Sequence, residues 1–323
     1  VSAPDGVWSP CVVAADGAVE AACDDLGYGT LFHWAGDGIA AVATRPELLV
    51  DVATAVGSTV SRDASIAAEL AYLGWLSPTR TGWSEIAALR AGESITLRDG
   101  IAEVSTDPHV AIWAHEPPTV TPLADLVEQA ATALTDCVRR TLEGGRTTFA
   151  DLTAGRDSRM VVAALVALDA LDSVTLQTIG GDDLADVMEA GALAAHLGAR
   201  HRHGFFYPFP EGSFEERFHC HVEATAGVSN VMKGMREPLG AVDHIRLSGQ
   251  MGEVVRGWPT PVTRDEPAHA VLDAIAGAFQ AGRVDLLAPA AAHDARRRLE
   301  QEVARRGGGD LPGWFTAHRY YGE

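Results

Sequence analysis

Short apolar runs separated by turn residues dominate the first part of the chain, from residue 1 to about residue 115. An acidic residue followed by glycine separates two such runs at Asp16-Gly17, Asp37-Gly38 and Asp99-Gly100, which predicts three β-hairpins. Residues 45–56 and 65–76 instead have a helical pattern. This part of the chain is therefore predicted to form an α+β domain.

A segment with three prolines, HEPPTVTP at 115–122, predicts a linker, and the pattern changes after it. A helix is predicted over 123–142, and predicted strands and helices then alternate. The strands are at 147–152, 173–179 and 244–249, the helices at 158–168 and 184–198, and a short apolar run at 204–209. Such alternation predicts a parallel sheet covered by helices. Residues 267–306 are predicted to be helical, with their terminal arginines in solvent. We therefore predict two domains, 1–115 and 116–323.

Composition narrows the class of protein. The 323 residues include 25 Lys and Arg against 44 Asp and Glu, and this net charge of −19 argues against a nucleic-acid or membrane-surface binder, which needs a basic face. No apolar run approaches the roughly 20 residues that span a bilayer, and residues 1–10 do not resemble a signal peptide. We expect a cytoplasmic protein. The four cysteines have no C-x-x-C pair, and Cys11 and Cys23 are expected to be buried structural thiols.

The stretch TAGRDS, Thr153–Ser158, lies between a predicted strand and a predicted helix. Small residues let backbone N–H groups approach an anion, and a helix N-terminus favours negative charge. The hydroxyls of Thr153 and Ser158 are suited to phosphate oxygens, and Asp157 beside phosphates suggests Mg²⁺ between them. The stretch thus predicts a pyrophosphate site. The alternative is that Asp157 or Ser158 only caps the helix.

A second stretch, HIRLSGQMGEVVRGW at 244–258, contains a predicted strand that ends at Ser248-Gly249. Because parallel strands bring their carboxyl ends to one edge, Glu253 is placed to face Asp157. Two carboxylates around one Mg²⁺ suit a nucleoside triphosphate. The alternative for Glu253 is a solvated side chain in a turn.

Taken together, these stretches resemble the asparagine synthetase superfamily of ATP pyrophosphatases. Its loop reads S-G-G-x-D-S, which Gly155, Asp157 and Ser158 match, and its later motif reads L-S-G-x-G-x-D-E-x-x-G-G-Y. That motif is matched by Leu247, Ser248, Gly249, Gly257 and aromatic Trp258, and Glu253 falls where its aspartate is expected. The intervening TIGGDDLADVMEAGALAAHLG resembles the segment that follows the adenine-binding strand. DDLGYGTLF resembles a stretch of the amidotransferase-type domain.

The resemblance implies an α/β protein with an N-terminal, Ntn-type domain like class II glutamine amidotransferases, followed by a parallel-sheet synthetase domain. It implies ATP and Mg²⁺, a carboxylate activated as an acyl-adenylate, and an amine that forms the amide. Asp157 and Glu253 would hold the metal. The nucleotide would contact Thr153, Ala154, Gly155, Arg156, Asp157, Ser158, Ile179, Gly180, Ser248 and Gly249. Arg156 and Gln250 would take part in catalysis.

Departures from the family narrow the expected reaction. The sequence begins with Val1 instead of the cysteine that glutamine-hydrolysing members use, so we expect no glutaminase activity. Gln250 stands where relatives place Glu or Tyr, and a neutral amide cannot act as a general base. Lys233, the only lysine, precedes the second motif and does not match the family's catalytic lysine.

These features favour amide formation in specialised metabolism, of the kind catalysed by beta-lactam synthetases and lasso-peptide macrolactam cyclases. The leading prediction is macrolactam closure of a precursor peptide. The alternatives are a glutamine-dependent asparagine synthetase and a non-catalytic ATP-binding paralogue. A homo-oligomer is left open. A zinc site is a weaker alternative, suggested by His201, His203, His219 and His221.

Overall fold

The computed structural model of the protein describes residues 10–24, 29–73, 76–77, 79–106, 122–204, 213, 215–216, 244–249, 270 and 287–305. The chain divides into two compact units. The first comprises Val1–Pro117, His221–Lys233 and Trp258–Glu323, and the second comprises Pro118–Cys220 and Gly234–Gly257. The architecture is mixed α/β, with two antiparallel sheets in the first unit and one parallel sheet in the second.

The strands and helices within the described residues are numbered in chain order. The strands are β1 (Cys11–Val13), β2 (Val19–Ala22), β3 (Phe32–Gly36), β4 (Ile39–Ala43), β5 (Ala87–Ala88), β6 (Glu93–Arg98), β7 (Ile101–Thr106), β8 (Thr147–Asp151), β9 (Val174–Ile179), β10 (His201–Gly204) and β11 (His244–Leu247). The helices are α1 (Pro46–Ala55), α2 (Ile66–Leu73), α3 (Leu123–Glu143), α4 (Arg156–Ala167), α5 (Ala185–Leu197) and α6 (Pro289–Arg305).

The first unit contains sheets of order β1-β2-β6-β7 and β4-β3-β5. All three predicted hairpins are confirmed as β1–β2, β3–β4 and β6–β7. In the last two, both turn residues have positive φ, at 52° and 77° for Asp37 and Gly38 and 50° and 76° for Asp99 and Gly100. Two positive φ values give the turn the twist of the strands that it joins. The acid–glycine pairs therefore determine these two connections.

Two apolar clusters are found among the described residues of the first unit. One joins the two sheets and contains Ala21, Cys23, Leu31, Leu89, Ile95 and Leu97, with Ala40 and Val42 of β4 packed against it. The other joins β3 to α1 and contains Phe32, Trp34, Leu49, Ala53, Ile86 and Ala88. Alternate residues of β3 face opposite ways, so this strand contributes to the helix side through Phe32 and Trp34. The unit is thus layered as sheet, sheet and helix.

The two thiols predicted to be buried differ. Cys23 lies just after β2 and is 1% exposed, and burial raises its pKa to about 11. The prediction for Cys11 is wrong, because Cys11 lies on β1 and is exposed. The reason is that β1 is an edge strand whose three residues are all exposed. An apolar run alone does not distinguish an edge strand from a central one.

A buried ion network connects α2 to the segment that follows it. Glu69 is 0% exposed, and its carboxylate accepts a hydrogen bond from the Ser77 N–H at 2.5 Å and pairs with the Arg80 guanidinium. Arg80 also pairs with Asp63 and donates to the Ser65 hydroxyl at 2.7 Å. Burial would raise the pKa of Asp63, but hydrogen bonds from Ser65 and the charge of Arg80 outweigh it and lower the pKa to about 2.

Replacing Arg80 with methionine is expected to destabilise the first unit, because it leaves the buried Glu69 carboxylate without its cation. Loss of one partner of a buried pair costs about 3–5 kcal/mol of unfolding free energy, measurable by urea denaturation. Arg98→Met is the control, since Arg98 is 58% exposed in its ion pair with Asp16 and should contribute little. Equal destabilisation by the two changes would contradict this account.

The same network predicts the pH dependence of stability. Because folding lowers the pKa of Asp63 from 3.8 to about 2, its ionised form stabilises the native state above pH 3.8, and this contribution is lost as the pH falls through that interval. The Arg80→Met variant should lose less stability over the interval, because part of the cause of the shift is gone. Denaturation curves at several acidic pH values measure the difference.

The second unit contains a four-stranded parallel sheet of order β10-β9-β8-β11. One face packs against three helices through a core of Val138, Ala150, Leu152, Val161, Val162, Ala164, Leu165, Val174, Leu176, Ala190 and Ala194. These residues come from α3, α4 and α5 and from alternate positions of β8 and β9. The predicted parallel sheet with covering helices is confirmed on this face.

The predicted elements of the second unit agree with the structure except at β10. The helix predicted over 123–142 is observed as α3, and the strands predicted at 147–152, 173–179 and 244–249 are observed as β8, β9 and β11. The strand beside β9 is His201–Gly204, which shares only Gly204 with the short apolar run at 204–209. Residues 205–209 lie outside the described part. Because His-Arg-His-Gly has no apolar run, the hydrophobic pattern did not indicate β10.

Among the described residues, no helix combines the length and apolar character that crossing a membrane requires.

Candidate functional site

The strand order of the parallel sheet reverses beside β8. Strands β8, β9 and β10 follow one another in one direction, whereas β11 pairs with the opposite side of β8. In open α/β sheets, ligands bind at such a reversal, beyond the carboxyl ends of the strands. Both stretches singled out in the sequence reach this edge, since the 153–158 segment follows β8 and Ser248-Gly249 follows β11.

The segment between β8 and α4, which we call the phosphate loop (Thr153–Ser158), is folded onto itself by hydroxyl groups. The Thr153 N–H donates to the Ser158 hydroxyl at 3.0 Å, and the Gly155 N–H donates to the Thr153 hydroxyl at 2.9 Å. Ser158 is only 5% exposed. Both hydroxyls, which the sequence suggested for phosphate oxygens, therefore organise the loop in this structure.

The helix-cap alternative for Asp157 and Ser158 does not describe the start of α4. The N-cap position is Gly155, which makes no side-chain cap hydrogen bond, and the helix begins at Arg156. Asp157 is the second helical residue and is half-buried. Its carboxylate therefore lies in the first turn, where the helix dipole favours negative charge.

Two arginines lie in the same first turn. Arg156 and Arg159 are both exposed, and Arg159 Nε donates to the Gly155 carbonyl at 3.2 Å. Cations at a helix N-terminus are opposed by the dipole unless an anion lies between them. The arrangement therefore favours an anionic ligand. Arg159 was not among the predicted site residues, although its three-residue spacing from Arg156 would have indicated it.

Gly249 lies against the first turn of α4. A Cβ atom built on Gly249 would lie 2.3 Å from the Ser158 nitrogen and 2.5 Å from the Asp157 carbonyl carbon. Only glycine permits this approach of two backbones. The structure thus brings together the ends of the two predicted motifs, which are separated by about ninety residues of chain.

The residues that follow β9, up to the first turn of α5, add a second carboxylate and an apolar surface to this edge. The Ala154 N–H of the phosphate loop donates to Asp186 Oδ1, on the first turn of α5, at 3.0 Å. Beyond Ile179, the last residue of β9, Gly180 has φ 145° and packs against the Leu184 side chain. Asp186 was not among the predicted site residues. Its contact with the loop depends on the pairing of β8 with β9, which the pattern does not give.

Several predicted residues lie outside the described part of the chain, namely Gln250, Glu253, Lys233, His219 and His221. Their distances to Asp157 are therefore not part of the described geometry. Of the suggested zinc ligands, His203 pairs with Asp182 at 2.5 Å and His201 contacts the Thr178 hydroxyl at 2.9 Å. Burial and the neighbouring His203 lower the pKa of His201. Within the described ranges, no group of three or more His, Cys, Asp or Glu residues is arranged to hold a metal ion.

The donor set at the phosphate loop fits Mg²⁺ carried by a nucleotide. Protein sites for Mg²⁺ usually offer one or two carboxylates, and phosphate oxygens and water supply the other ligands. Asp157 provides a carboxylate in the first turn of α4, and Asp186 provides another at the rim of the loop. A site with few protein ligands is what MgATP requires.

Comparison with models of known protein families gives no match, and comparison with curated proteins gives no similar sequence.

Proposed function

We propose that the protein is an ATP-dependent ligase that forms an amide bond by way of an acyl-adenylate. One observation carries this proposal. The phosphate loop, the first turn of α4 and Gly249 meet at the carboxyl edge of the parallel sheet, where the strand order reverses. A nucleoside triphosphate suits this place, because backbone N–H groups and two arginines favour its phosphates. The asparagine-synthetase-like motifs support the same assignment.

In this proposal, each residue of the edge has a defined role toward ATP. The N–H groups of the first turn of α4, with Arg156 and Arg159, stabilise the pyrophosphate as negative charge develops on it. Asp157 and Glu253 are the proposed carboxylate ligands of Mg²⁺, and the metal would neutralise phosphate charge. Thr153 and Ser158 maintain the loop, and Ser248-Gly249 closes it on the β11 side.

The adenine is proposed to lie at the end of β9, beside Ile179 and Gly180. Next to Gly180, the first turn of α5 exposes two apolar side chains one turn apart, Leu184 at 46% and Met188 at 60%. Leu184 packs against Gly180, and exposed apolar side chains beside a glycine are suited to the flat face of a base. Covering them with adenine would remove apolar surface from water.

The reaction consists of two transfers. A substrate carboxylate oxygen attacks the α-phosphorus of ATP and pyrophosphate leaves. An amine then attacks the carbonyl carbon, AMP leaves, and the amine loses a proton. Gln250 is proposed to orient the amine by hydrogen bonding, since an amide does not accept that proton.

The amine is proposed to come from the substrate itself instead of from glutamine. The two packed antiparallel sheets of the first unit support an amidotransferase-like domain. Of the two thiols described in this unit, Cys23 is buried, and its pKa of about 11 leaves little thiolate for a nucleophile. The other, Cys11, lies exposed on the edge strand β1. An amidotransferase-like domain without glutaminase favours ring closure of a peptide, with a lasso-type precursor as the leading substrate.

The test is exchange of labelled pyrophosphate into ATP in the presence of candidate carboxylates, including precursor peptides encoded by neighbouring genes. Exchange that depends on one carboxylate, with AMP as the nucleotide product of the complete reaction, would support the proposal. Formation of amide with release of ADP and phosphate would contradict the acyl-adenylate. Release of glutamate from glutamine would contradict the proposed source of the amine.

A further inference from the structure

A row of polar side chains crosses the four strands of the parallel sheet on the face opposite its apolar core. Arg246 of β11 makes a bidentate pair with Asp151 of β8, with Nε–Oδ1 and Nη2–Oδ2 distances of 2.9 and 2.7 Å. Gln177 of β9 donates to Asp151 Oδ1 at 3.0 Å and accepts from Arg202 of β10 at 2.7 Å. We call these four residues the cross-strand row.

The stability of the sheet alone does not account for the cross-strand row. Strands of a parallel sheet are usually aliphatic on both faces, and the main-chain ladder already sets the register of β8 with β9 and β11. Arg246 is 37% exposed and Asp151 is 16% exposed, so solvent screens part of the attraction in their ion pair and reduces its contribution to the free energy of folding. Arg202 is held further by stacking its guanidinium 3.8 Å above the centre of the Phe149 ring.

The position of the row indicates what it does. Asp151 is the last residue of β8, immediately before the segment that leads into the phosphate loop, and Arg246 precedes Ser248 by two residues. Gln177 precedes Ile179 by two residues, and Arg202 precedes Gly204 by two. Each member thus lies one or two residues before a segment at the carboxyl edge, and each is hydrogen-bonded to its neighbour in the row.

We infer that the cross-strand row positions the candidate ATP site, with the Arg246–Asp151 pair holding the phosphate loop and Ser248-Gly249 in the relative placement that MgATP needs. A bidentate guanidinium–carboxylate pair restrains both the distance and the angle between the two side chains. The main-chain hydrogen bonds between β8 and β11 end with the strands and do not restrain the segments that follow. The inference rests on the proposed function, since it assigns the row to the same nucleotide. Arg246 and Asp151 are positioning residues and do not contact the nucleotide.

The experiment measures MgATP and AMP affinity of the full-length protein by isothermal titration calorimetry, for the wild type and for Arg246→Ala, Asp151→Asn and the swapped pair Asp151→Arg with Arg246→Asp. The single changes should weaken MgATP binding about tenfold, the usual lower effect of losing an outer-shell partner. They should change AMP binding much less, because the pair lies under the phosphate side. The swapped pair should recover most of the MgATP affinity.

The control is Arg139→Ala, which removes an exposed ion pair with Asp136 on α3 and should leave MgATP affinity unchanged. Thermal unfolding of each variant shows whether it is folded. Wild-type binding of MgATP together with unchanged affinity in folded Arg246→Ala and Asp151→Asn would overturn the positioning role alone. Equal weakening of MgATP and AMP would also overturn it. Absence of MgATP binding by the wild type would overturn the proposed function, and this inference with it.

Discussion

Asp157→Asn is expected to reduce substrate-dependent pyrophosphate exchange by at least about 100-fold, the effect of removing one electrostatic contact to a transition state. Asparagine keeps the size of the side chain but removes the charge that would hold Mg²⁺ against the phosphates. The residue is half-buried in the first turn of α4, where the lost dipole interaction costs only about 0.3–1 kcal/mol. The variant should therefore fold and lose activity.

Asp172→Asn is the matched control for this change. Asp172 is another acid in the first turn of a helix, but it is exposed to solvent. It lies in the short 3-10 helix Leu171–Ser173 at the amino end of β9, opposite to the candidate site. Its replacement should leave exchange at the wild-type rate. Wild-type exchange by both variants would show that Asp157 is not a metal ligand. Glu253→Gln is expected to act like Asp157→Asn if Glu253 is the second ligand.

Gly249→Ala is expected to produce the second large effect, a loss of MgATP affinity of about 100-fold, the upper end of what the loss of a group supporting a metal site produces. The added Cβ would lie 2.3 Å from the Ser158 nitrogen, a backbone atom that no side-chain rotation moves away. The end of β11 and the first turn of α4 must therefore separate. Titration of the folded variant with MgATP measures the loss.

Gly191→Ala provides a glycine control in the same unit. Gly191 lies within α5, and a Cβ atom built there meets no heavy atom within 4 Å. Alanine should therefore raise stability by about 0.5–1 kcal/mol through helix propensity and leave MgATP affinity unchanged. If Gly249→Ala binds MgATP as well as Gly191→Ala does, the contact between β11 and α4 has no part in the site.

The sequence alone was sufficient for the elements that depend on local pattern. The acid–glycine turns at Asp37 and Asp99 predicted hairpins because a turn with two positive φ values needs such residues. The approach of Ser248-Gly249 to the phosphate loop was also predictable. Its basis is general, since parallel strands place their carboxyl ends, and therefore the residues that follow them, along one edge.

Contacts that depend on strand order were not predictable from the pattern. Arg246 and Asp151 are 95 positions apart, and they meet only because β11 pairs with β8 instead of with β10. Asp186 reaches Ala154 for a similar reason, through the pairing of β8 with β9. The exposure of Cys11 follows from the edge position of β1. In each case the deciding fact is which strands are neighbours, and hydrophobic periodicity does not contain it.

The central claim, that MgATP binds across the carboxyl edge of the parallel sheet with its metal on Asp157, is tested most directly by crystallography with a non-hydrolysable analogue. Crystals of the full chain grown with α,β-methylene-ATP and Mn²⁺ require no knowledge of the carboxylate substrate, and the metal is located by anomalous scattering. The account predicts phosphates at the phosphate loop, adenine beside Gly180 and an anomalous peak in coordination contact with Asp157. A nucleotide bound elsewhere, or a peak that does not contact Asp157, would contradict it.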